Sequence, residues 1–196
     1  MANYPVATGI LEPYLPKGVA LDLYNEKAYV SLVGFMFKNT KLFNIPIPRL
    51  GTFEEINLRF YVIRKEGDVT KKGVVFINET IPYKSVAWVA NKLYKEHYTA
   101  IPTKHSWHIT NEIKDINYLW KINNKWNNIR VHALNKSDSM PRESFEEYIF
   151  EHYFGYTKIN ENVTEEYTIN HPRWKINKVI TKEVNCDFSE MYGENF

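Results

Sequence analysis

From Glu55 to Arg64 the chain alternates. Ile56, Leu58, Phe60 and Val62 share one face of an extended segment, and Glu55, Asn57, Arg59 and Tyr61 share the other. The pattern predicts a strand with one buried face. The polar face either meets solvent or lines a cavity, and a tyrosine and an arginine flanked by an amide suit a carboxylate or carbonyl ligand. Glu55 and Arg59 stand four apart, roughly 13 Å along a strand, so the two are not expected to pair. Between Tyr83 and Glu96 the period changes. Val86, Val89, Ala90 and Leu93 follow helical spacing and predict the longest helix. A second helix is expected over Ser144–Tyr153. Ser144-Phe-Glu-Glu147 has capping-box form, Phe145, Tyr148, Ile149 and Tyr153 make an apolar stripe, and Gly155 suits a terminator.

The remaining runs read mostly as strands. Leu11 to Pro16 predicts a short helical turn, and Val19–Leu23 and Lys27–Phe37 predict strands joined by a turn at Asn25-Glu26. Lys38 to Gly51 holds two prolines and reads as a loop. Glu66-Gly-Asp68 predicts a turn into a strand over Gly73–Thr80. His105–Asn111 and Ile116–Ile122 are strand candidates, and Asn123-Asn124 predicts a tight turn from which Trp126–Ala133 pairs back. Asn135–Glu143 is polar. Thr164–Asn170 and Trp174–Val184 predict a last pair of strands across Pro172. The expected architecture is α+β, mostly antiparallel β: a curved, barrel-like sheet covered by two helices. It forms one domain over residues 1–185, with a C-terminal tail over 186–196 that either frays or docks Phe188, Tyr192 and Phe196 on another subunit.

Around Pro102 the sequence concentrates reactive groups. Three lysines, two histidines, a glutamate, two tyrosines and a tryptophan fall within Lys92–Trp107. Pro102 removes a backbone donor and biases Ile101 toward extended geometry. Pro102, Thr103, Lys104 and His105 are therefore expected at a bend beside a sheet, in a pocket wall. Lys104 near apolar rings and a second cation could act as base or amine, and it could equally point to solvent.

Composition narrows the remaining classes. A net charge of +2, with basic and acidic residues interleaved, gives no reason to expect nucleic acid or an anionic membrane as partner. No apolar run approaches a membrane helix, and the N-terminus lacks secretory-signal form. A single cysteine, Cys186, permits no internal disulfide and fits a reducing cytoplasm. Six histidines occur without zinc-ligand spacing; His105 and His108, three apart on a strand, face opposite sides. Neither a metal nor a nucleotide cofactor is expected. Aromatic residues at 15% suit strands and half-polar cavity walls, and the aromatic tail suggests a homodimer.

The stretch Lys92–Trp107, with Phe53-Glu-Glu-Ile-Asn-Leu-Arg-Phe-Tyr-Val62, Phe145-Glu-Glu-Tyr-Ile-Phe-Glu-His-Tyr153 and His171-Pro-Arg-Trp174, resembles the YqjF-like family of uncharacterised conserved proteins. The resemblance runs from Tyr4 to about Val179. It implies an acetoacetate decarboxylase-like fold, whose decarboxylases carry a Pro-Lys-Lys motif with a Schiff-base lysine first, and it places Glu55 near an active-site glutamate. Here the similar stretch reads Pro102-Thr103-Lys104. With no gap, Thr103 takes the nucleophile position, and a hydroxyl cannot form an imine; Schiff-base decarboxylation is not expected. The leading expectation is a small-molecule-binding protein with a pocket inside the sheet, its ligand anionic or carbonyl-bearing. Glu55, Asn57, Arg59, Tyr98, Thr103, Lys104 and His105 are its expected site residues, with Lys104 and Glu55 the catalytic candidates. The alternatives are an enzyme of decarboxylase or hydratase type acting through Lys104, and a structural protein whose barrel is packed full.

Overall fold

A computed structural model describes residues 1–38, 41–42, 45–46 and 51–196. The strands, in chain order, are β1 (Ala2–Val6), β2 (Ala20–Leu21), β3 (Ala28–Phe37), β4 (Lys41–Leu42), β5 (Ile45–Pro46), β6 (Phe53–Glu66) and β7 (Val69–Ile81), then β8 (Tyr98–Ala100), β9 (Thr103–Ile109), β10 (Ile113–Ile122), β11 (Lys125–Ser139), β12 (Phe154–Asn160), β13 (Val163–Thr168) and β14 (Lys175–Asn185). The helices are α1 (Thr8–Leu11), α2 (Lys84–Tyr94), α3 (Phe145–Phe150) and α4 (Phe188–Tyr192). The large sheet runs β1-β3-β6-β7-β12-β13, with β2 on β6 and β8 on β7; the smaller runs β14-β11-β10-β9. Most pairs are antiparallel, and β7 takes β8 and β12 in parallel. The mostly antiparallel α+β architecture agrees with the sequence pattern, and the sheets stay open instead of closing into a barrel.

Strand β6 organises the layers through its period of two. Ile56, Leu58, Phe60 and Val62 are buried against Trp120 and Ile129 of the smaller sheet in the main core. Its opposite face carries Phe53, Glu55, Asn57, Arg59 and Tyr61. That face is covered by helices: Ala87 of α2 packs with Phe53 and Ile81, and Tyr148 and Ile149 of α3 pack with Tyr61 and Val74. The Ser144 hydroxyl caps α3 by accepting from the Glu147 amide at 3.1 Å, as its sequence predicts. Both tight turns form with left-handed pairs, Asn25-Glu26 at φ 49° and 65° and Asn123-Asn124 at 42° and 64°.

Several connections differ from the sequence pattern. The turn at Asn25-Glu26 does not join paired strands, because β2 pairs with β6 and only a single bridge, Tyr24 to Lys27, closes it. Polar residues after Ala133 continue β11 to Ser139, because β14 supplies their backbone partners. The strands on either side of Pro172 do not pair with each other: β13 pairs with β12, and β14 with β11. Gly155 does not end α3; it lies in β12, directly beside Tyr167. The proline-rich stretch expected as a loop carries the β4–β5 ladder, with the rest of it outside the described residues except Lys38 and Gly51. The C-terminal residues neither fray nor wait for another subunit. Tyr192 is buried in the main core of its own chain, Phe188 meets Tyr4 edge-on, and Phe196 meets Tyr14.

Candidate ligand-binding cavity

Between the polar face of β6 and the covering helices lies a cavity of about 920 Å³. Its apolar wall includes Val33, Phe35, Phe76, Ala90 and Phe150. Glu55, Asn57 and Arg59 enter from β6 in order, two residues apart, as the alternation requires. Asn57 pairs with Glu79 on β7, which pairs with Tyr98 on β8, so an amide, a carboxyl and a phenol form one row across three strands. A register shift in β7 at Ile77 allows this. It sends Ile77 into the main core and leaves Phe76 and Glu79, three apart, on the cavity side.

Asn91 of α2 fixes Tyr98. Its amide nitrogen donates to the Tyr98 carbonyl at 2.8 Å, and its oxygen accepts from the Tyr98 N–H at 2.7 Å. Tyr98 in turn donates its hydroxyl to Glu55 at 3.2 Å, and the Asn57 amide donates to the other Glu55 oxygen at 2.9 Å. Burial raises the Glu55 carboxyl to about 7, against those two hydrogen bonds, with the charge of Glu96 adding to the rise. Burial likewise pushes Glu79 well up, reinforced by the charges of Glu55 and Glu96. Glu96, which accepts from Thr157 at 3.1 Å, is also raised, first by burial. This end of the cavity therefore holds protons at neutral pH.

Arg59 marks a different chemistry. Among the described residues no carboxylate lies within ion-pair distance of it, its Nε is buried without a hydrogen-bond partner, and the guanidinium carbon sits 5.8 Å from the Tyr61 ring centre. Nearby, Asp22 Oδ2 faces His152 Nε2 at 3.1 Å, while His152 Nδ1 has no partner. Burial lowers the His152 pKa more than Asp22 raises it, and the charge of Arg59 lowers it further. The imidazole is neutral at pH 7. It carries a hydrogen on Nε2, fixed by Asp22, and a lone pair on Nδ1.

Of the expected site residues, the fold brings Glu55, Asn57, Arg59 and Tyr98 together in this cavity. Thr103, Lys104 and His105 are elsewhere. Thr103 donates to Glu54 at 3.0 Å and His105 also bonds Glu54, on the opposite face of β6. Burial alone would raise Glu54, but the bonds from His105, its own backbone and Thr103 win, and its pKa is lowered. Lys104 is exposed, its ammonium 4.8 Å from the Trp126 ring centre. Pro102 lies between β8 and β9, but the strand that follows it belongs to the smaller sheet.

The DUF2071 family model, described as an uncharacterized conserved protein, matches residues 1–196. The chain belongs to this family. Over 78 residues it is 37% identical to the uncharacterized protein YqjF of Bacillus subtilis (strain 168), a match covering 39% of this chain and 31% of that protein. The aligned stretch thus spans about a third of the relative's own length.

In this DUF2071 chain, two of the motifs singled out in the sequence converge on the cavity rim. His171 stacks on Tyr153 at 4.6 Å, bonds the His152 carbonyl at 3.2 Å and is followed along the rim by Trp174. Between them, Arg173 pairs with Glu147 and Glu151, tying the motif to α3 and its C-terminal end. Sequence reasoning missed Glu79, Glu96, His152 and Tyr167. Glu79 was hidden by the register shift, and Tyr167 reaches the cavity only because Gly155 leaves room: a Cβ there would lie 2.2 Å from its ring. The signal available was a glutamate within an apolar strand, Val74-Val-Phe-Ile-Asn-Glu79.

Proposed function

We propose that this chain binds a small organic molecule in the cavity between β6 and the helices, with Arg59 anchoring a carboxylate or carbonyl oxygen of the ligand. The single observation that carries the reading is a guanidinium with no ion-pair partner among the described residues and a buried, unbonded Nε, lining a largely apolar cavity of about 920 Å³. Guanidinium groups in protein interiors are ordinarily paired, and this one's natural complement is an oxyanion supplied from outside the chain. The size suits a drug-sized or smaller metabolite. A barrel packed full would not leave this volume. Chemistry through Lys104 finds no support in its exposed position on the other sheet.

Native mass spectrometry of protein taken directly from cells tests the reading. A reproducible added mass of a small molecule is expected, lost in Val33→Trp, which fills the wall, and weakened in Arg59→Gln. The same spectra from wild type and Val33→Trp, with no adduct in either, would refute it.

A further inference from the structure

We propose that the acidic end of this cavity, formed by Glu55, Glu79 and Glu96 with Tyr98 and Tyr167, is a receptor for a protonated organic amine. The inference rests on the binding function above and adds the second end of the ligand. That ligand then carries an acceptor group at Arg59 and an ammonium among the carboxyls.

The carboxyls call for a partner the chain does not provide. Among the described residues, none of the three glutamates has a lysine, arginine or histidine within ion-pair distance. Glu79 is 5% exposed and its Oε2 has no hydrogen-bond partner; Asn57 is 1% exposed and its Oδ1 has none either. A cluster of three carboxyls, with Glu79 Oε2 and Asn57 Oδ1 lacking donors, asks for a cation with several N–H groups, and an ammonium brings three. A metal ion is a poor fit. Among the described residues no three carboxylate, histidine or cysteine side chains are arranged to hold one. Phe35 and Phe76 on the cavity wall are suited to the methylene groups beside an ammonium.

Proton linkage follows. The titratable groups around this end are Glu55 on β6, Glu79 on β7, Glu96 after α2, Tyr98 on β8, and Glu165 and Tyr167 on β13. Arg59, His152, His171 and the Met1 α-amino group line the remainder; burial and then the charge of Arg59 lower the pKa of that amine. Burial raises both phenols above their usual range, so they stay protonated, and at this end of the cavity the carboxyls are the groups that give up protons. An arriving ammonium favours the carboxylates and releases protons to the buffer, so its affinity climbs as pH rises through about 7.

Isothermal titration with valerate, butylamine and δ-aminovalerate, in phosphate and in Tris at about pH 7, reads this directly. δ-Aminovalerate is expected to bind at least about tenfold tighter than valerate, with a buffer-dependent enthalpy that reports proton release. In Glu79→Gln, and separately in Glu96→Gln, that advantage disappears; both replacements are near-isosteric with a protonated carboxyl. Valerate binding with no gain from the amine and no proton release overturns the amine receptor and leaves the Arg59 anchor standing. Butylamine binding without valerate binding supports the receptor and overturns the anchor. Failure of all three compounds to bind overturns both.

Discussion

Tyr98 reaches across β7 to donate its hydroxyl to Glu55 on β6, 3.2 Å away. The bond joins a residue after the α2 crossover to one forty-three positions earlier. It passes over Glu79, so the three side chains form a buried acidic unit whose protonation is tied to stability. Glu55 is fully buried, and its carboxyl is raised to about 7 from an ordinary value of 4.5. A raised folded-state pKa means stability is fully present below the unfolded value and is lost as pH climbs through about 7. The rise at Glu55, shared with Glu79 and Glu96, corresponds to roughly 3 kcal/mol of that loss. Glu55→Gln should remove this share, giving a flatter urea-denaturation profile between about pH 5 and 8. An equally steep profile in the variant would count against the assignment.

Gly155 and Tyr167 share a cross-strand site with no room for a methyl group, since a Cβ would lie 2.2 Å from the ring. Gly155→Ala should cost about 1–3 kcal/mol by forcing the phenol out of place. Adding Tyr167→Ala should recover much of the loss, a coupling visible in a double-mutant cycle. Additive losses would show that the ring moves aside freely.

His152 should titrate below the ordinary histidine value. Nitrogen-15 NMR should find it neutral at pH 7 with the hydrogen on Nε2. Asp22→Asn should lower its pKa further, because Asp22 is the group that holds it up against burial. Because the folded-state pKa is depressed, this histidine contributes stability that is fully present above its unfolded pKa and is lost as pH falls through its lowered folded pKa. A rise in the variant would contradict the pairing at 3.1 Å.

The sequence made one half of the site legible and concealed the other. A period of two along β6 was enough to put Glu55, Asn57 and Arg59 on one face, because side-chain direction in a strand is local. Which strands come to lie beside β6 is not local. Glu79 depends on a register shift, Tyr98 on a parallel pairing made after a helix, and His152 on a turn beyond α3. Thr103, Lys104 and His105 are expected in the same pocket wall because Pro102 predicts a bend beside a sheet. Pro102, however, lies at the boundary between the two sheets, so Tyr98 and Thr103, five positions apart, end on two different surfaces.

Lys104→Ala should therefore change little. Losing an exposed ammonium 4.8 Å from the Trp126 ring centre should cost less than about 1 kcal/mol. Borohydride treatment with acetoacetate should leave no adduct on the peptide containing Lys104. An adduct there, together with carbon dioxide release lost in the variant, would return the site to Lys104.

The most direct test of the cavity's role is a crystal structure of protein taken from cells without added ligand. Non-protein density between β6 and helices α2 and α3, with an oxygen-bearing group against the Arg59 guanidinium, is the predicted result. A cavity closed over by its own side chains, with Arg59 paired to a carboxylate of the chain, would contradict it.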